Sequence, residues 1–140
     1  MTDSEIDDIA RGFCARTLPK ARWTHAAHFA TAIWLIRNRP DIVPERDMPD
    51  MIRGYNESTG GVNSDSAGYH ETITQASLRA TRALLATLDG DATPAVAFAA
   101  LMASPLGDKN WLFAHWSRDL LLSADARHRW VEPDLSPLRP

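Results

Sequence analysis

Residues 24–37 read THAAHFATAIWLIR, and the reading of this stretch decides the fold. Thr24 is a helix N-cap by type, because its hydroxyl can accept from a backbone N–H of the first turn that lacks a partner. After it, Phe29, Ala30, Ala32, Ile33, Trp34, Leu35 and Ile36 fall on every side of the helix. A helix that is apolar all round belongs in the middle of its domain. Arg37, Asn38, Arg39 and Pro40 supply the stop, with positive charge at the C-terminal end. Besides Thr24 and Thr31, His25 and His28 are nearly the only polar groups along it.

Working outward, the flanking segments also carry helical spacing. Ile6, Ile9, Ala10, Phe13 and Leu18 form an apolar stripe over a first helix of about 4–17, with Asp3, Glu5, Asp7 and Asp8 at its N-terminal end, where the helix dipole favours negative charge. A third helix is expected from about Asp47, with Pro49 in its first turn and Met48, Met51, Ile52 and Tyr55 facing inward. Residues 56–68 are rich in Gly, Ser, Asn and Asp and read as a long loop, a kind that is either functional or mobile. A fourth helix spans 69–88 and a fifth 94–103, the latter opened by the pair Thr93-Pro94. A sixth is expected to run unbroken over about 109–123. The tail WVEPDLSPLRP is extended, with Trp130, Val131, Leu135 and Leu138 as anchors. No segment alternates apolar and β-branched residues with period two. The expectation is an all-α, compact single-domain bundle of five to six helices over residues 1–140, with an extended Pro-rich C-terminal tail.

Composition narrows the function classes. With 140 residues, 44% hydrophobic and 24% charged, the chain has the make-up of one ordinary globular domain. A net charge of −3 argues against general nucleic-acid binding. No apolar run is long enough to span a membrane, and the acidic start has no signal-peptide core. The single Cys14 cannot form an internal disulfide, which fits a reducing cytoplasm. There is no CxxC pair, glycine-rich phosphate loop or nucleophile elbow.

The chemistry-bearing candidates are histidines. His25 and His28, three apart on one helix, bring their Cβ atoms to about 5–6 Å and can share a metal ion. His70 shares a helix side with Ile73, Ser77, Ala80 and Leu84 and so points inward, following a long loop. His25, His28 and His70 are therefore the expected metal ligands, for a divalent transition metal such as Zn, Fe, Ni or Cu, which imidazole suits. His115 lies four residues before Asp119, whose carboxylate can orient the imidazole within a continuous helix. That makes His115, with His70, a candidate catalytic group. Arg53 and Tyr55 end the third helix beside the loop and are candidates to hold an anionic or aromatic ligand. Plainer readings stand beside each: hydrogen-bonded structural histidines, an exposed polar strip around His115, and an Arg53 group that pins the loop. His128, between Arg127 and Arg129, reads as a solvated surface run.

The run WTHAAH (23–28), the block RGYNESTGGVNSDSAGYHETIT (53–74) and the stretch SPLGDKNWLFAHWSRDLLLSADARHRWVEPDL (104–135) resemble a family of small bacterial all-helical proteins with WTHxxH and GYHET blocks. The family carries no assigned activity, so the resemblance implies shared blocks and no reaction. It places His25, His28, Tyr69, His70, Glu71, Asp108, Lys109, Ser117 and Arg118 within those blocks, and Tyr69 and Arg118 join the ligand-binding candidates. The three-histidine pattern of metal-binding four-helix bundles is not matched, because the paired histidine near their last ligand is missing.

The leading expectation is a His-lined pocket at helix N-termini, under the loop 58–68, taking a metal or a small-molecule substrate and leaning towards catalysis. The alternatives are a metal-free small-molecule pocket lined by aromatic residues, and a homodimer built on the five tryptophans and the tail.

Overall fold

The computed structural model describes residues 1–138. Seven α-helices appear among them: α1 (Asp3–Cys14), α2 (His25–Asn38), α3 (Pro44–Ser58), α4 (Glu71–Ala86), α5 (Pro94–Ala103), α6 (Arg118–Leu121) and α7 (Ala124–His128). Short 3-10 turns lie at Lys20–Arg22, Pro105–Gly107 and Trp111–Ala114, and the described residues contain no strand. The architecture is all-helical, as expected.

α2 is the axis. Ala27, Phe29, Ala30, Thr31, Ala32, Ile33, Trp34 and Leu35 are all buried, and α1, α3, α4 and α5 pack around them. Thr24 caps the helix by accepting from Ala27 N at 3.2 Å. The Trp34 indole donates to Asp7 at 3.1 Å, tying α2 to α1, and Tyr55 donates to the Leu18 carbonyl at 2.8 Å, tying α3 to the α1–α2 connection. Arg16 takes a left-handed φ of 59° where α1 ends, letting Thr17 and Leu18 turn back onto the Gly12 carbonyl. Its guanidinium lies against Gly54 of α3, where a Cβ would come within 2.1 Å of it.

α3 begins three residues before the expected start. Pro44 occupies the first turn, and Asp47 accepts from Val43 N at 2.9 Å. Pro49 therefore sits inside the helix, where it supplies no N–H to the Glu45 carbonyl. Gln75 of α4 takes that role, its side-chain amide donating to Glu45 O at 3.0 Å, while Arg82 pairs with the Glu45 carboxylate. A helix defect and a helix–helix contact are thus one feature.

The expected sixth helix is broken. Ser117 accepts from Leu120 N at 3.3 Å and Ser123 from Ala126 N at 3.1 Å, and each starts a new short helix. Asp134 further fixes the first break by accepting from Ser117 N at 2.7 Å. Serine caps outweigh the apolar pattern here. The tail crosses the surface with Trp130, Val131 and Leu138 against the core, but Leu135 is 60% exposed rather than anchored. The last two residues of the expected tail lie outside the described residues.

Replacing Gln75 by Ala orphans the Glu45 carbonyl, and we expect a loss of about 1–2 kcal/mol in urea unfolding. The substitution P49A restores the missing N–H, so in that background Q75A should cost under about 0.5 kcal/mol. Equal costs in the two backgrounds would refute the link.

Candidate functional site

A cavity of about 240 Å³ opens between α2, α3 and α4, closed on its fourth side by residues 109–112. His25, His28, Phe29 and Ala32 of α2 line it in succession, facing Met48 and Ile52 of α3, Ile73, Thr74, Ser77 and Leu78 of α4, and Lys109, Trp111 and Leu112. The spacing 25, 28, 29 and 32 is one face of one helix. The sequence signal placed the histidines on this face, but the cavity lies under residues 109–112 and not under the loop 58–68.

Both histidines are oriented by main-chain carbonyls. His25 Nε2 donates to Leu106 O at 2.9 Å, and His28 Nδ1 donates to Thr24 O at 2.6 Å. A carbonyl can only accept, so these nitrogens carry the protons. In the neutral rings the opposite nitrogens, His25 Nδ1 and His28 Nε2, keep lone pairs. The Trp23 ring packs at a tilt of 33° against the His28 ring, with centroids 3.9 Å apart. His28 is an exposed residue, yet the protein packed around the ring holds its pKa below the ordinary histidine value; the Thr24 carbonyl opposes that shift and His25 adds to it. A neutral imidazole with a fixed Nδ1–H is suited to accept a hydrogen bond, to take a proton as a general base, or to bind a metal.

His70 is elsewhere, and both its nitrogens are engaged. Nδ1 accepts from Ile73 N at 3.1 Å, capping α4, and Nε2 donates to the Leu121 carbonyl at 2.7 Å, clamping α6 onto α4. Among the described residues, no three His, Cys, Asp or Glu side chains gather as a metal set. His25 and His28 come together and His70 does not join them. His115 corrects a second expectation: the break before Ser117 removes the helical spacing to Asp119. His115 instead donates from Nδ1 to Ser136 O at 3.2 Å, and its own carbonyl receives Leu135 N and Ser136 N. It faces a separate, more open hollow of about 640 Å³.

The ligand-binding candidates divide in the same way. Tyr55 is buried against the Leu18 carbonyl. Arg53 pairs with Asp50 and lies over the Tyr69 ring at 4.4 Å, while the Tyr69 hydroxyl bonds Glu71; burial first, and then that carboxylate, raise the phenol pKa. Arg118 stacks over Phe113 at 5.0 Å. None of the four lines the cavity. The loop is tied down: Asn63 accepts from Asn56 and Tyr69 N and donates to the Arg53 carbonyl, and Arg127 donates to Gly68 O at 3.0 Å. Gly68, at φ 84°, leaves no room for a Cβ, which would lie 2.6 Å from the Asn63 carboxamide oxygen. All five tryptophans are buried or half-buried within the chain. Burial raises the Cys14 thiol pKa, which opposes reactivity. Lys109, Ser77 and Thr74 are the polar lining residues that the sequence does not single out as site residues. Ser77 was placed only on an inward face, and nothing local marks Lys109.

No family model, curated protein or solved structure matches this chain.

Desolvation lowers the His70 pKa as it lowers that of His28. A depressed folded-state pKa means that the unfolded chain takes up protons first as pH falls below about 6.5. The stability these neutral rings retain at pH 7.5 should therefore decline towards pH 5.5 in urea unfolding. H70N keeps an acceptor for the cap and should flatten that decline. H70A loses both the cap and the Leu121 clamp, at about 2–4 kcal/mol. An H70A variant as stable as the parent, or an unchanged pH slope in H70N, would contradict this assignment.

Proposed function

We propose that the protein binds a compact, largely apolar small molecule in the α2–α3–α4 cavity and recognises an N–H or O–H group on it through His25 and His28. One observation carries the reading: both imidazoles in the lining have their donor nitrogens committed to backbone carbonyls, which leaves acceptor nitrogens beside an apolar hollow. Such pockets are mostly apolar, with a few placed polar groups that fix orientation. The volume is above the roughly 150 Å³ that takes a benzene ring in an engineered cavity, so a one- or two-ring molecule is the right size. With a bound O–H or C–H acid, His28 Nε2 is the group placed to remove a proton, the catalytic form of this reading.

A second reading uses the same nitrogens. Rings fixed by carbonyls are also what metal ligation needs, and a divalent transition metal would then take His25 and His28 plus ligands from water or substrate. Lys109 in the same lining disfavours a cation, so the metal-free form is preferred.

Indole and indene share a shape, but only indole carries an N–H. Titration calorimetry should give indole an affinity about tenfold above indene. H28N, whose carboxamide can keep the bond to Thr24 O while removing the Nε2 lone pair, should erase the difference. A32L should fill the cavity and abolish both affinities. Equal binding of the two probes by the parent protein, or none, would overturn the proposal. Stoichiometric zinc binding lost in H28N would favour the metal reading instead.

A further inference from the structure

We infer that the occupant of this cavity is an organic acid: an apolar body whose carboxylate is held at Lys109 while its N–H or O–H meets the imidazoles. The inference rests on the pocket reading above and adds the charge of the ligand.

The argument is electrostatic. The lining contains one formal charge, the Lys109 ammonium, and no carboxylate. Lys109 forms no ion pair among the described residues. Asp108, beside it in sequence, is not a lining residue and accepts from Asn110 N at 2.9 Å, and the Glu45 carboxylate of α3 is paired with Arg82. The Ser77 hydroxyl, also in the lining, makes no hydrogen bond among the described residues and can donate to the same anion. Apolar side chains make up most of the remaining wall. A neutral hydrocarbon leaves Lys109 and Ser77 without use, and a cation meets the ammonium at close range. An acid with an apolar body uses every feature of the wall.

The segment that carries Lys109 is also fixed to the imidazoles. The Leu106 carbonyl that orients His25 lies three residues before Lys109, and the turn at Pro105–Gly107 packs closely on the end of α5: a Cβ on Gly107 would approach the Met102 carbonyl oxygen to 2.1 Å. Lys109 is an exposed residue that lines the same cavity as the two imidazoles.

The test is a matched pair. Indole-3-acetate and indole-3-acetamide share a shape and the ring N–H, and differ in charge. At low salt, calorimetry should show the acid binding about tenfold tighter than the amide. The ratio should fall to within about twofold in K109Q and invert in K109E, and salt should compress it in the parent protein. Ratios measured within each variant are insensitive to a general loss of affinity. Equal binding of acid and amide by the parent, or an acid preference that persists in K109Q, overturns this inference while indole binding still upholds the pocket. Failure of indole itself to bind overturns both.

Discussion

The constraint on which the rest depends is that α2 has no face fit for water. Eight of its residues are buried, on all sides, so four other helices must surround it. A helix enclosed in this way keeps most of its polar groups at its ends; the exception is Thr31, whose buried hydroxyl makes no hydrogen bond among the described residues. At the N-terminal end, Thr24 satisfies one backbone N–H, and the two histidines of the first turn give their ring protons to Leu106 O and Thr24 O. Each ring thereby has its donor nitrogen paired, while the second nitrogen of each has no hydrogen-bond partner among the described residues. The cavity lies where that surplus of acceptors meets the apolar walls of α3 and α4.

The same economy recurs elsewhere as structure without a site. His70 resembles His25 and His28 in type and position, standing at the start of a helix and directed inward, but both its nitrogens are satisfied by backbone groups. Its work is mechanical, joining α4 to α6. Gln75 fills the hydrogen-bond gap that Pro49 creates in α3. Thr72 does similar work on the tail, donating to Arg129 O at 2.8 Å and accepting from Val131 N at 3.2 Å. These contacts hold α3 and the C-terminal segments on α4, so the cavity walls are set by polar anchors outside the cavity.

Much of the fold was legible because hydrophobic period and cap chemistry agree over long stretches. The all-round apolarity of 29–36, the Thr24 cap and the Thr93-Pro94 start can each be read locally. The break at Ser117 could not be read that way, because leucines and tryptophans on both sides continue the helical pattern. The decision falls to Asp134, seventeen residues on, which takes the Ser117 N–H. The start of α3 was misplaced for a related reason: Pro49 looks like a first-turn proline unless the donor from Gln75 is known. Of the site, His25 and His28 were legible as the only ring nitrogens at the start of an apolar helix. The roles of His70 and Lys109 were not, since they depend on which carbonyl and which wall the chain brings near.

The most direct measurement is of the imidazole protons themselves. Long-range nitrogen–proton correlation spectra of uniformly labelled protein distinguish the two neutral tautomers and the charged form. The account predicts that at pH 7.5 His28 is a neutral ring protonated at Nδ1, and that His25 carries a proton at Nε2, where it meets the Leu106 carbonyl. A His28 ring protonated at Nε2, or charged at that pH, would contradict it.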